Sequence, residues 1–255
     1  CIALGHTPKI WREGKINFLV KPGKKDLSDP RAYRPITLAS FFFKTLERIA
    51  CWELETGHLL KNPLHENQHA FRLGKSCDSA LSQTVDLIEK GLERGEYVLG
   101  IFLDIRGAFD NVEPEEATKA LKEGRFPEWF TEWYGHYIKN RTVIANFCDE
   151  VLRRWIKLGC PQGGVLSPVF WNLIFDEFVK AVNKGPFKRI AFADDKVIII
   201  SGKDLSTVRD LGQQILKEAE KWSEQFGLTF CPKKSVAVVY TLSLIHISEP
   251  TRPNN

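Results

Sequence analysis

Short blocks of apolar residues, some alternating with polar ones, predict seven β-strands along the chain. Turn-forming residues such as Pro22-Gly23 bound the first of them. Two adjacent aspartates, Asp194 and Asp195, separate the fifth and sixth blocks, which predicts a hairpin. The predicted strands are Ile16–Lys21, Tyr97–Leu103, Thr142–Phe147, Val151–Ile156, Lys188–Ala193, Lys196–Ser201 and Val236–Tyr240.

Apolar residues at helical spacing predict six helices. Thr37 is predicted to cap the first helix, and either Ser76 or Asp78 the second. Gly95 and Gly227 follow the second and the last helix, where glycine commonly ends a helix. The predicted helices are Leu38–His58, 76–94, Pro114–Lys122, Glu128–Ile138, Val165–Val182 and 205–226.

The order of these elements predicts the fold class. Strands and helices are mixed without a regular βαβ alternation, which predicts an α+β fold in which a few strands form one sheet and helices pack on one side of it. The second predicted helix carries its apolar residues on one face: Leu81, Val85, Ile88 and Leu92.

Composition narrows the class of protein only a little. The chain has 255 residues, 43% of them apolar, and a formal net charge of +4, so its charge only weakly indicates a polyanionic partner. Six scattered cysteines form no C-x-x-C pair, which predicts neither a zinc site nor a disulfide framework and favours reduced intracellular thiols. No apolar run reaches 18 residues, so no membrane span is expected.

Both ends of the sequence are unusual. The chain contains no methionine, which predicts an internal piece of a longer protein. The stretch 242–255 resembles the translation of a sequencing-library adapter, and we expect it not to be native. The alternative is a natural linker that contains serine and proline.

Three aspartates are candidates for a metal site. Asp104 ends an apolar strand, where it could be a strand-end cap, and the pair Asp194-Asp195 could be a simple turn. Adjacent carboxylates destabilise each other, however, and a divalent cation removes that cost. Mg²⁺ takes oxygen ligands, and two such ions can clamp the attacking and leaving oxygens of a phosphoryl transfer. The residues therefore predict a two-metal phosphoryl-transfer site.

Two further residues fit a nucleotide site. Phe109, five residues after Asp104, is either part of the core or a ring that lies under a sugar and excludes a 2′-hydroxyl. Gln162 lies in a glycine-rich loop that leads into a helix, and glycines there allow close approach of the backbone to a ligand. The alternative for this loop is a helix entry without a ligand.

Seven motifs together resemble one family. They are Lys21–Lys24, Tyr33–Leu38, Gln68–Arg72, Phe102–Asp110, Gly159–Pro168, Phe192–Asp195 and Gly227–Lys234. In this order they resemble the reverse transcriptases of non-LTR (LINE-type) retrotransposons, of the jockey-like group. The resemblance covers 8–241, nearly the whole sequence.

The resemblance implies a right-hand polymerase fold with a palm and fingers. The palm would be an antiparallel sheet with helices on one face, and the thumb would be absent. Residues 1–95 would form the fingers and the N-terminal part of the domain. Residues 96–241 would form the palm, with a fingers insertion at about 114–158.

The resemblance also implies metal and nucleotide contacts. Asp104, Asp194, Asp195 and the backbone of Ile105 would hold two Mg²⁺ ions, for which Mn²⁺ can substitute. Phe109 would select deoxynucleotides.

Five further positions would contact the nucleotide or the leaving group. Gln162 and Gly163 would contact the incoming nucleotide, Arg72 and Arg34 its triphosphate, and Lys234 would be the general acid for the leaving pyrophosphate. For each arginine the alternative is a solvated surface charge, and for Lys234 a surface lysine.

The implied function is RNA-directed DNA synthesis, with an RNA template, a DNA primer and deoxynucleoside triphosphates as partners and no membrane. The enzyme would be made in the cytoplasm and act in the nucleus; the oligomeric state stays open. One alternative is a catalytically inactive nucleic-acid-binding remnant of a retroelement. Another is an RNA-directed RNA polymerase, which would usually carry Asp in place of Phe109 and Gly in place of Ala193.

Overall fold

Each of the seven predicted strand segments forms a strand in the computed structural model, which describes residues 1–147, 150–181 and 187–242. An eighth strand, not predicted, precedes the first helix. The strands are β1 Glu13–Val20, β2 Tyr33–Leu38, β3 Tyr97–Asp104, β4 Arg141–Phe147, β5 Glu150–Ile156, β6 Phe187–Phe192, β7 Asp195–Gly202 and β8 Val236–Tyr240.

The predicted helices also form, with changes at their ends. The helices are α1 Phe41–Glu53, α2 Leu59–Lys61, α3 Cys77–Glu93, α4 Ala108–Asn111, α5 Pro114–Glu123, α6 Glu128–Lys139, α7 Ser167–Ala181 and α8 Leu205–Gln225. Short 3₁₀ turns occur at Ile2–Leu4, Lys9–Trp11 and Pro30–Ala32, and a π-helical turn at Leu54–His58. The mixed α+β class is confirmed. Val182, the predicted end of α7, and the tail from residue 243 onward lie outside the described residues.

The strands form two sheets, so the prediction of a single sheet is wrong. The first sheet has the order β2-β1-β4-β5, with β1 and β4 parallel and the other neighbours antiparallel. The second has the order β6-β7-β3-β8 and is antiparallel throughout. The chain leaves the first sheet after β2 and returns to it at β4, and the second sheet is formed mainly by the segments that follow.

The second sheet has helices on both faces, which corrects the prediction of helices on one side. Successive side chains of a strand point to opposite faces. In β3, Leu99 packs against α8, where a Cβ on Gly212 would lie 2.8 Å from its Cδ2. Its neighbour Val98 packs against α3, where a Cβ on Gly91 would lie 2.4 Å from its Cγ2. Glycines therefore allow one helix to approach each face closely.

The first helix starts later than predicted, and Thr37 is not its cap. Thr37 lies in β2, and the Ser40 side chain accepts a hydrogen bond from the Phe43 N–H at 3.1 Å instead. The sequence pattern missed β2 because Pro35 weakens a strand signal. Proline is nevertheless tolerated in a strand at the edge of a sheet, which is where β2 lies.

The cap of α3 is Ser76, one of the two predicted candidates, in a capping box with Ser79. The face of this helix was predicted wrongly in part: Leu81 and Val85 are 59% and 49% exposed. Small or polar residues of α3 are buried in their place, namely Ala80, Thr84 and Gly91. The reason is the close approach of α3 to the sheet, which leaves no room for larger side chains. Among the described residues, no helix is long and apolar enough to cross a bilayer.

Candidate functional site

The three predicted aspartates meet at one end of the second sheet. Asp104 is the last residue of β3 and pairs directly with Asp195, the first residue of β7. Asp194 lies beside Asp195 in the two-residue turn that joins β6 to β7. Ala193, the first residue of this turn, has a φ of 54°, in the left-handed region that is uncommon for residues other than glycine. The hairpin and the pairing of its strands therefore bring the carboxylates together.

Two donors beneath the turn hold its backbone. The Trp171 indole N–H donates to the Ala193 carbonyl at 2.9 Å, and the Lys196 ammonium group donates to the Asp194 carbonyl at 3.0 Å. Lys196 is buried, and its Nζ lies 4.4 Å from the centre of the Phe175 ring. Burial lowers the pKa of Lys196 to about 7, although the three neighbouring aspartates favour its charged form. These contacts explain how a strained turn persists.

The carboxylates repel one another. Burial raises the pKa of Asp195, and the charges of Asp194 and Asp104 raise it further. Lys234 offsets part of this, since its Nζ lies 3.3 Å from the Asp104 Oδ2 while its side chain stays 68% exposed. The site therefore attracts a positive charge, which is the behaviour expected of a cation-binding cluster.

A glycine-rich loop packs directly on the segment that follows Asp104. The Gly159 N–H donates to the Val112 carbonyl at 2.7 Å, and the Cys160 N–H to the Phe109 carbonyl at 2.8 Å. Gly159 has a φ of 72°, and a Cβ on it would lie 2.4 Å from the Phe109 carbonyl oxygen. Only glycine fits this position, because a side chain would be strained and would collide with backbone.

The loop places Gln162 between α4 and β2. The Gln162 Nε2 donates to both carboxylate oxygens of Asp110, at 2.8 and 2.9 Å. The Thr37 N–H donates to the Gln162 carbonyl at 2.7 Å. Gly163 has a φ of 105°, and a Cβ on it would lie 2.9 Å from the Thr37 carbonyl oxygen. The outer edge of β2, which the sequence pattern missed, therefore holds this loop.

Asp110 was not predicted to belong to the site. Burial raises its pKa, while the hydrogen bond from Gln162 and the charges of Lys21 and Arg141 lower it. It immediately follows Phe109, whose ring packs 5.5 Å from that of Trp171, centre to centre. The buried Ile105 bridges to Phe230 through its backbone.

Most of the predicted site residues line one cleft of about 580 Å³, a volume typical of small-molecule sites. Asp195 lies beside it and lines an adjoining apolar cavity together with Asp104. Lys21 and Tyr33, which were not predicted as site residues, also line the cleft. The predicted residues that line it are Arg34, Asp104, Ile105, Phe109, Gln162, Gly163, Asp194 and Lys234.

Arg72 lies elsewhere. Its guanidinium group donates to the carbonyls of His65 at 2.6 Å and Gln68 at 2.9 Å, and it lines a different groove. In this structure it braces a turn of the chain. Direct contact between Arg72 and a triphosphate stays a prediction.

The carboxylates do not form a closed metal cage. Within 1–147, 150–181 and 187–242, no group of three or more His, Cys, Asp or Glu side chains is arranged to hold a metal ion. Mg²⁺ seldom uses such a cage, since it keeps several waters and is usually bound by one or two carboxylates and substrate phosphates. Paired, mutually repelling carboxylates at the edge of a cleft fit that mode of binding.

Comparison with known families identifies the family of this chain. The family described as "Reverse transcriptase (RNA-dependent DNA polymerase)" matches residues 21–250, most of the chain. This chain belongs to the reverse transcriptase family. The motifs that suggested the resemblance lie inside that range or just at its start, so the prediction from sequence is confirmed.

Relatives of this reverse transcriptase occur in non-LTR retrotransposons. It is 29% identical over 243 residues to a 115 kDa protein of a type-1 retrotransposable element of Drosophila melanogaster, covering 94% of this chain and 23% of that protein. It is 26% identical over 249 residues to the "RNA-directed DNA polymerase from mobile element jockey" of Drosophila funebris, covering 94% of this chain and 27% of that protein. The chain therefore spans about a quarter of the length of these relatives.

Solved telomerases have a similar fold. Telomerase from Candida tropicalis, in complex with a fragment of telomeric RNA, superposes with a TM-score of 0.63 at 13% identity, covering 90% of this chain and 41% of that one. The Candida albicans telomerase gives a TM-score of 0.62 at 16% identity, covering 91% of this chain and 43% of that one. At such identities the likeness describes the fold.

Proposed function

We propose that this chain is the polymerase domain of a non-LTR retrotransposon reverse transcriptase and catalyses RNA-directed DNA synthesis. The observation that carries this proposal is the cluster of three aspartates at a cleft whose other side is a glutamine-bearing, glycine-rich loop. Asp104 and Asp194 line this cleft, and Asp195 lies beside it. Membership of the family supports the proposal. The second sheet would be the palm, and the first sheet would belong to the fingers. The pairing of β4 with β1 supports this division. It places β4, a strand within 114–158, in the same sheet as a strand of residues 1–95.

In this proposal Asp104, Asp194, Asp195 and the backbone carbonyl of Ile105 hold two Mg²⁺ ions. When bound, these ions neutralise charge on the phosphates and on the attacking oxygen. Trp171 keeps the aspartate turn in place through the Ala193 carbonyl. Positioning and charge neutralisation supply most of the rate in this class of reaction.

The remaining residues of the cleft bind the nucleotide. Arg34 and Lys21 face the triphosphate, where the planar guanidinium of Arg34 suits phosphate oxygens. Phe109 lies under the sugar, and its ring leaves no space for a 2′-hydroxyl. Gln162 and Gly163 bound the other side of the nucleotide.

The reaction joins the primer 3′-oxygen to the α-phosphorus of the nucleotide and breaks the bond to pyrophosphate. Lys234 lies close enough to Asp104 to belong to the same cluster, and its exposed ammonium group donates a proton to the leaving pyrophosphate. The template and primer are held through their backbones and A-like shape more than through their sequence.

The test is primer extension by the full chain on an RNA template with Mg²⁺. We expect incorporation of deoxynucleotides in preference to ribonucleotides, and loss of incorporation in Asp194→Asn. Asp210→Asn is the matched control, because Asp210 is an exposed aspartate of α8 that lines neither the cleft nor the adjoining cavity.

Two results would contradict the proposal. Template–primer binding without extension by the folded wild-type chain would indicate a binding remnant. Preference for ribonucleotides would indicate an RNA polymerase.

A further inference from the structure

A buried carboxyl group lies directly beneath the loop that carries Gln162. Glu47 of α1 has no solvent exposure. Its Oε2 accepts a hydrogen bond from the Val165 N–H at 3.2 Å, and the Leu166 N–H faces the same carboxyl group. Its Oε1 has no hydrogen-bond partner among the described residues. A buried polar atom without a partner is rare in proteins and calls for an explanation.

The loop rests on this carboxyl group with no space between them. A Cβ on Gly164 would lie 3.3 Å from the Glu47 Oε1 and 2.7 Å from the Ser167 Oγ. It would also lie 3.0 Å from the ring of Pro161. Glu47 therefore packs against the backbone two residues after Gln162.

Glu47 also lies close to the N-terminal end of α7. Val165 and Leu166 are the two residues that precede this 15-residue helix, where backbone N–H groups lack partners within the helix. A carboxylate at this end of a helix is stabilised by the N–H groups and by the helix dipole. On its other side the loop is held by Thr37 and Asp110. Glu47 is the contact that holds it from below.

We propose that Glu47 is a positioning residue for the loop of Gln162 and Gly163, and that the protonation state of its carboxyl group sets how tightly this loop holds a nucleotide. The inference rests on the proposed polymerase function. The ionised carboxylate accepts charge-assisted hydrogen bonds from the two N–H groups and fixes the loop. Protonation weakens these bonds and loosens it.

In the environment of Glu47 both the protonated and the ionised carboxyl group are populated near neutral pH. Burial raises its pKa to about 7, against the lowering effect of the Val165 and Leu166 N–H groups. Several titratable or charged side chains interact electrostatically with the Glu47 carboxyl group, and they belong to its own helix, α1, and to α6. They are Lys44, Arg48, Cys51, Tyr134 and Tyr137.

The experiment compares the full-length wild-type chain with Glu47→Gln, which keeps the shape of the side chain but cannot ionise. The KM for a deoxynucleotide and kcat are measured between pH 6 and 8.5. Titration of the nucleotide or of the primer affects both proteins equally. The informative quantity is therefore the KM of Glu47→Gln divided by the KM of the wild type at the same pH. We expect a ratio near 1 at pH 6 that rises to about 5 to 10 at pH 8, with kcat changed less than KM. Glu53→Gln, an exposed position on the same helix, is the matched control and should give a ratio of 1 throughout.

The outcomes separate this inference from the function on which it rests. A wild-type chain that extends no primer contradicts the proposed function. An active wild type with a KM ratio that does not vary with pH overturns the role of Glu47 alone. If Glu47→Gln does not fold, Glu47→Asp replaces it, because this change withdraws the carboxylate from Val165. Glu47→Asp should raise KM about 5-fold at pH 8, and a wild-type KM there would overturn the inference.

Discussion

The turn of Asp194 and the loop of Gln162 face each other across one cleft, but they are fixed in different ways. The turn joins two neighbouring strands of one sheet, and donors from directly beneath hold its carbonyls. The loop belongs to no sheet. It is held by three elements that lie far from it in the sequence, through Thr37, Glu47 and Asp110.

The difference separates chemistry from positioning. The turn concentrates negative charge, which costs stability until a cation binds. The loop presents a neutral side chain, that of Gln162, to the cleft. The position of this side chain depends on the packing around the loop. Changes in the turn should therefore act on the rate of the chemical step, whereas changes around the loop should act on stability and on nucleotide affinity.

The largest effect is expected from Asp104→Asn, which keeps the size of the side chain and the pairing of β3 but removes one charge. We expect kcat for nucleotide incorporation to fall about 10³-fold, because a ligand for transition-state charge is lost. The melting temperature should stay the same or rise, since repulsion with Asp195 is relieved. Single-turnover incorporation and thermal unfolding measure the two quantities. A fall in kcat of less than about 10-fold would count against the metal role.

The next effect concerns the loop and compares two glycines with the same backbone conformation. Gly159 and Gly74 have φ values of 72° and 73°, but only at Gly159 would a Cβ meet other atoms, since nothing lies within 4 Å at Gly74. Gly74→Ala should cost about 1 kcal/mol for the left-handed conformation alone. Gly159→Ala should cost about 3 kcal/mol or more, because it adds a collision with backbone. Urea unfolding gives both values, and equal costs would show that the loop can move away from Phe109.

A third prediction uses the pH dependence of stability to test the buried carboxyl group of Glu47. The pKa of Glu47 is raised from 4.5 to about 7 in the folded chain, so between these values the folded state holds a proton that the unfolded state has released. The stabilisation that comes from this bound proton is therefore fully present below pH 4.5. As the pH rises towards 7 it is lost, and the free energy of unfolding falls by about 3 kcal/mol. Urea unfolding of Glu47→Gln should lack this loss, and Glu53→Gln should retain it. Parallel pH curves for the wild type and Glu47→Gln would contradict the prediction.

The smallest effect is expected from Asp110→Asn. The Gln162 amide would keep one acceptor but lose the charge that holds it, at a cost of about 1 kcal/mol. The KM for a deoxynucleotide should rise about 5-fold with little change in kcat. Steady-state kinetics on the same template and primer measure this, with Asp210→Asn as the control. A fall in kcat at constant KM would place Asp110 in the chemical step instead.

The same contrast decides how much could be predicted from sequence. The aspartate turn follows from local patterns, because apolar runs ending in acidic residues define both strands and the hairpin. Lys196 was missed within such a run, although it begins a stretch of β7 in which both faces are buried, from Lys196 to Ile200. A lysine at the start of a continuous apolar run was the available signal.

The surroundings of the loop could not be predicted from local patterns. Arg34 lines the cleft because β2 joins the first sheet at its edge. The sequence did not predict β2, because Pro35 weakens the strand pattern there. Asp110 and Glu47 reach the loop only through contacts between distant segments. Spacing along the chain shows neither contact, and Arg34 and Arg72 look alike until their surroundings are known.

The parallel pairing of β1 with β4 has a consequence for how the chain folds. Gly14 pairs with Val143, about 130 residues later, so the first sheet stays incomplete until most of the chain has been made. Contacts of such long range form slowly, because a large loop must close before they stabilise anything. Until then the inner edge of β1 presents unpaired backbone groups, a surface on which other chains can aggregate. Strand β1 therefore stays open to aggregation until β4 has been made, and a chaperone that covers β1 should raise the folding yield of the chain.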